Sequence, residues 1–138
     1  MPTLTSRPTA PNAPGPRSRL ALAALMVAAG ILHFVIPATY ERIVPRVLGH
    51  ARALVLVSGW VEILAGLLLA VPRTRRLGAW LTVALLVVVF PANVQMALDS
   101  GVPGSSGPFV PAMAAWLRLP LQTPLVVWAL RLTRPDGG

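Results

Sequence analysis

Cysteine and lysine are both absent from this chain, and only four of its 138 residues are acidic. Without cysteine, the chain itself makes no disulfide, thiolate metal site or thiol redox centre. The scarcity of charge, 12% of residues against 55% hydrophobic, together with a mean hydropathy of +0.70, excludes a soluble domain of this length. No His pair has ligand spacing, no carboxylate pair lies inside an apolar stretch, and no glycine-rich phosphate loop is present. Metal sites and nucleotide chemistry therefore lack support. All twelve basic side chains are arginines, giving a formal charge of +8. In a soluble protein that balance would point to nucleic acid. Here it reports topology and lipid headgroups, with no nucleic-acid partner expected.

What remains is apolar sequence in bilayer-sized pieces. A helix rising about 1.5 Å per residue needs about 20 residues to cross about 30 Å of hydrocarbon. Such stretches lie roughly at 20–36, 52–71, 77–98 and 112–132. The expected architecture is all-α: an integral membrane four-helix bundle over 20–133. Residues 1–19, rich in Pro, Thr, Ser and Arg, are expected to form a disordered cytoplasmic tail, and 134–138 a short C-terminal tail. The small residues at 27–29 resemble a leader cleavage site, but the apolar run continues to Ile36, which favours a spanning helix.

Proline delimits the stretches. Pro37 ends the first and Pro72 the second, Pro91 interrupts the third, and Gly and Pro residues between 101 and 111 form turn sequence. Arg7, Arg17, Arg19, Arg73, Arg75, Arg76, Arg131 and Arg134 fall on one side of this arrangement, and Arg42, Arg46 and Arg52 on the other. The positive-inside rule then places both termini in the cytoplasm. Tyr40 and Trp116 fall near the outer interface, and Trp80 and Trp128 toward the inner one.

Few polar residues interrupt the apolar stretches, and depth counting puts His33, Glu62, Asn93, Arg118 and Gln122 at one level in the outer half of the membrane. An ionised side chain at the centre of a spanning helix costs roughly 2.5 to 3.5 kcal/mol on insertion scales, so Glu62 requires compensation. Three roles are open to it: an ion pair with Arg118, a part in ligand binding, or a neutral hydrogen-bonded carboxyl. Ser58, Gly59, Glu62, Ala65 and Gly66 share one helical face, opposite Trp60, Leu64, Leu67 and Leu68. Small residues there permit close helix approach. Arg118 shares a face with Gln122, Leu125 and Ala129, and either points inward or snorkels to the interface. His33 either carries protons or donates to a backbone carbonyl. Pro91, Pro120 and Pro124 each leave a carbonyl four residues earlier without its helical donor. Such backbone must be buried in protein or line a polar cavity.

These fragments, in order, resemble the DoxX family of small four-helix membrane proteins over roughly residues 25–133. The resemblance rests on Gly30, His33, Phe34 and Pro37; Val44 and Pro45; Ser58, Gly59, Glu62 and Gly66; Pro72, Thr74 and Arg75; Phe90, Pro91, Ala92, Asn93 and Met96; and Arg118, Pro120, Gln122 and Trp128. It implies a multi-pass protein of a bacterial plasma membrane, in a family with members associated with redox complexes, quinones or thiosulfate oxidation. The absence of cysteine argues against direct sulfur chemistry.

Two readings follow. In the first, the chain is a redox-linked subunit whose polar cavity binds a quinone or similar amphipathic molecule. His33 and Glu62 then handle protons, Arg118 holds a carbonyl or anionic group, and Asn93 and Gln122 complete the site. In the second, it is a noncatalytic accessory or assembly protein that docks another membrane protein or a second copy of itself. No inverted repeat supports a transporter.

Overall fold

A computed structural model describes residues 14–99 and 112–135. Every regular element among them is helical: α1 (Pro16–Val35), α2 (Pro37–Glu41), a single 3₁₀ turn (Arg46–Leu48), α3 (Ala51–Ala70), α4 (Arg75–Asp99) and α5 (Ala112–Leu132). Of these, α1, α3 and α4 are long and apolar enough to cross a membrane. α3 packs against both α1 and α4, and α5 packs on α4.

The long helices begin and end close to where the apolar runs do, with two differences. α1 starts at Pro16, inside the segment expected to be a tail. Proline suits a first helical turn, where its missing amide is not needed. Arg19, in that turn, is buried and donates to the carbonyls of Leu69 and Ala70 at the C-terminus of α3. The remainder of the expected tail, residues 1–13, lies outside the described residues, as do the turn sequence at 100–111 and residues 136–138. The second difference is that Pro91 does not divide α4, which runs unbroken from Arg75 to Asp99.

The end of the structure that holds the start of α1, the α3–α4 turn and the end of α5 is held together by arginines on helix C-termini. Besides Arg19 on α3, Arg75 Nη2 donates to the Arg134 carbonyl at 2.8 Å and Arg76 Nε to the Thr133 carbonyl at 2.9 Å. These are carbonyls that a helix end leaves without backbone partners, and they carry the negative end of its dipole. Trp128 Nε1 donates to Ser18 Oγ at 2.8 Å, tying α5 to α1. Leu22, Met26, Ala65, Leu69, Ala129 and Leu132 form much of the core beside this layer.

Between α1 and α3 the helices approach closely because glycine faces backbone. A Cβ on Gly30 would stand 2.6 Å from the Gly59 carbonyl oxygen, and one on Gly66 would stand 2.7 Å from the Ala23 carbonyl oxygen. Gly78 does the same for α4 against α3, 2.6 Å from the Leu69 amide nitrogen. Small residues are the means by which membrane helices gain van der Waals contact where lipid supplies no hydrophobic drive. On α3 most of the anticipated split is present: Gly59, Ala65 and Gly66 are buried and Trp60, Leu64 and Leu67 exposed, while Ser58 and Leu68 are half-buried.

Overpacking this seam is therefore expected to destabilise the fold. Gly30→Ala should lower stability by about 1 to 3 kcal/mol in unfolding from mixed detergent micelles. Gly15→Ala, where a Cβ meets nothing within 4 Å, should be neutral. Equal stability of the two variants would contradict the close-packed seam.

Candidate functional site

The five polar residues anticipated at one level fall into two hydrogen-bonded or charge-paired groups, with Arg118 apart from both. The first group lies between α1 and α3. Gly59 packs directly beneath His33, since a Cβ there would lie 2.8 Å from that of His33. The residue one turn further along α3 on the same face is Glu62. This register places His33 Nδ1 3.2 Å from Glu62 Oε2, with both side chains largely buried.

The proton on Nδ1 is already directed elsewhere. Nδ1 lies 2.8 Å from the carbonyl of Ala29, one turn back in α1. A carbonyl only accepts, so this bond assigns the proton to Nδ1. Glu62 Oε2 is thus close to His33 without a well-formed hydrogen bond, and it is buried with no hydrogen-bond partner among the described residues. The 3.2 Å approach and the missing hydrogen bond are two views of one geometry, in which a single N–H faces two acceptors and the carbonyl takes it.

Tyr40 covers this pair. Pro37 opens α2 directly after the bend at Ile36, which turns the chain back so that the Tyr40 ring stacks on the His33 imidazole, centroids 3.9 Å apart and 24° from parallel. Burial pushes the Tyr40 phenol above its ordinary range; Glu62 adds to the rise and Arg118 opposes it. The phenol therefore lies within electrostatic reach of both charges.

The second group joins α4 to α5. Asn93 Nδ2 donates to Gln122 Oε1 at 2.9 Å, and Gln122 Nε2 donates to the Leu86 carbonyl. Leu86 immediately precedes Val87, whose helical donor Pro91 removes. The Gln122 bond thus falls on the carbonyl adjacent to the one that Pro91 deprives of its donor. Gln122 is buried, whereas Arg118, one turn earlier on the same face, is exposed.

Arg118 forms no ion pair with Glu62. Its side chain is exposed, with Nη1 4.0 Å from the Met96 sulfur, and no carboxylate pairs with it among the described residues. The reason is topological: α5 packs on α4, whereas Glu62 belongs to α3 and faces α1. Helical depth, read from the sequence, carries no information on which helices are neighbours. Tyr40 was likewise placed only at the interface by its sequence position. Its signal was the Pro37 break three residues earlier in the same segment, which returns the chain over the end of α1.

Three helices able to span a bilayer, closed by glycine seams around a buried carboxylate and imidazole, define a small all-helical membrane protein. The chain belongs to the family described as Domain of unknown function (DUF8561), whose profile matches residues 22–133 and so includes all of the site. No curated protein and no solved structure matches the chain.

Tyr40 is the chain's sole tyrosine, so phenolate absorbance reports on it alone. Its titration midpoint in the folded protein should lie above about 10, the value of an unperturbed phenol. Glu62→Gln should lower that midpoint and Arg118→Leu should raise it. Because the folded state holds this proton more tightly than the unfolded chain, its contribution to stability is complete below about pH 10 and is lost as pH rises through the raised value. A midpoint indifferent to both substitutions would contradict the cluster.

Proposed function

We propose that this protein is a DoxX-like subunit associated with a membrane redox complex, and that the His33–Glu62 site binds a small amphipathic molecule of the quinone and quinol class. In this reading α5 is the fourth spanning helix of a bundle, both termini are cytoplasmic, and the membrane is a bacterial plasma membrane. The arginine-rich end that holds the start of α1 and the end of α5 supports that orientation.

The observation that carries the proposal is the unsatisfied Glu62 Oε2. A buried acceptor without a partner is costly and calls for a donor. His33 Nδ1 is directed to the Ala29 carbonyl, Asn93 and Gln122 are joined to one another between α4 and α5, and the Tyr40 phenol over the site makes no hydrogen bond to Glu62 Oε2. A hydroxyl group supplies what is missing, and an aromatic or apolar body suits a site roofed by Tyr40 and embedded among apolar helices. The reduced, hydroxyl-bearing form satisfies Glu62 directly. His33 and Glu62 are then the proton-handling groups, while Asn93 and Gln122 hold α5 to α4.

A second reading, an accessory or assembly protein, is favoured by Arg118. An exposed guanidinium in the outer half of α5, resting on a thioether, suits an acidic group supplied by a partner subunit or a second copy.

Native mass spectrometry of the detergent-extracted protein distinguishes them. Under the binding proposal, wild type carries a quinol-class small molecule that Glu62→Gln loses while its helical circular dichroism is unchanged. A wild type free of any such molecule would overturn it. A copurifying protein lost on Arg118→Leu, with no small ligand, would establish the accessory reading instead.

A further inference from the structure

The prolines of α5 have no place in the site described above. Pro120 and Pro124 both lie inside the helix, where each lacks the amide that would bond the carbonyl four residues earlier, those of Trp116 and Pro120. Trp116, Pro120 and Pro124 are all exposed. They lie away from the side of α5 that meets α4, which carries the buried Gln122 and its bond to Asn93. By helical geometry Thr123 and Val127 share the face of Trp116 and Pro120, and both are exposed as well.

The same face holds a donor. The Thr82 hydroxyl donates to the Gly78 carbonyl one turn back in α4, whereas that of Thr123 makes no hydrogen bond among the described residues. A helical carbonyl points toward the next turn, so that of Pro120 opens at the depth of Thr123. One face of α5 thus presents, at a single level, a hydroxyl donor and a carbonyl deprived of its own. With α5 spanning the membrane, as in the functional reading above, lipid satisfies neither group, and backbone broken at that depth needs protein or a polar cavity beside it. Symmetry specifies the covering surface. Two copies inserted in the same orientation are related by a two-fold axis along the membrane normal, which brings together residues of equal depth. Across that axis each copy's Thr123 hydroxyl meets the other's Pro120 carbonyl, so the face is its own complement. Trp116, Pro120, Thr123, Val127 and Leu130, all exposed, follow one another at alternating steps of four and three residues, the spacing along which two helices pack at a shallow angle.

We propose that this protein forms a homodimer through the Pro120–Thr123 face of α5, closed by reciprocal hydrogen bonds from Thr123 to the Pro120 carbonyl. The interface rests on the reading that α5 spans the membrane. It does not depend on what binds at Glu62, which faces α1 from α3.

The absence of cysteine makes the test direct, since a single introduced thiol reports only its own neighbours. Full-length Val127→Cys, reconstituted in phosphatidylcholine vesicles and oxidised with copper phenanthroline, should form a disulfide-linked dimer. Leu121→Cys, on the exposed flank of the same helix, should cross-link only at the slow rate of random collision. In the Val127→Cys background, Thr123→Val should weaken dimerisation roughly tenfold on dilution into excess lipid, with helical circular dichroism retained. Thr123→Ser, which keeps the hydroxyl, should leave dimerisation unchanged. Pro124→Ala, which returns a donor to the Pro120 carbonyl, should weaken it. Dimerisation indifferent to Thr123→Val or to Pro124→Ala would overturn the proposal. Leu121→Cys protected from a water-soluble maleimide, with both thiols cross-linking equally slowly, would overturn the dimer alone. Labelling of Leu121→Cys by that maleimide in sealed vesicles would show that α5 does not span, and would overturn the topology and the dimer together.

Discussion

The carboxylate of Glu62 sits within a helix whose other residues are almost all apolar, and the approach of α1 to α3 determines what surrounds it. Gly30 and Gly59 bring the two backbones so near that neither position has room for a methyl group. That register sets His33 against Glu62 at 3.2 Å. A wider seam would leave the carboxylate facing lipid, where an ionised group costs roughly 2.5 to 3.5 kcal/mol or more. The same closeness aims the imidazole proton at its own helix through the Ala29 carbonyl, leaving Oε2 buried but unsatisfied. Packing and chemistry are thus one feature: the glycines that stabilise the helix pair also create the acceptor on which the functional reading rests.

The two ends of the molecule use arginine differently. At one end Arg19, Arg75 and Arg76 spend their donors on helix C-terminal carbonyls, so that neighbouring helices are joined by side chain to backbone contacts. Such bonds stabilise both the carbonyls and the helix dipoles, and they hold where lipid offers no competing donor. At the other end Arg52 is paired with Glu41, while Arg42 and Arg46 line a cavity.

The helices were legible in the sequence because the signal for a spanning segment is long and local. The bounds of α3 and α5 follow the apolar runs, and the inward face of α3 follows from small residues at helical spacing. Glu62 and His33 could be singled out by cost alone. Their pairing could not, because depth along a helix says nothing of which helices touch; the Glu62–Arg118 contact anticipated from depth fails for that reason. Proline was read as an interruption at Pro91 that leaves the Val87 carbonyl without its donor, whereas α4 runs continuously through it. Gln122 donates from α5 to the adjoining Leu86 carbonyl, a contact between helices that exists only in three dimensions. Tyr40 was underestimated because stacking on His33 depends on the fold-back at Pro37.

The dependence of this arrangement on the α1–α3 contact is measured most directly by a double-mutant cycle of His33→Leu and Glu62→Gln, followed by unfolding in mixed micelles. The account predicts a coupling energy of about 0.5 to 3 kcal/mol between the two positions. Additivity within about 0.5 kcal/mol would mean that the imidazole and the carboxyl do not interact, and would contradict the account.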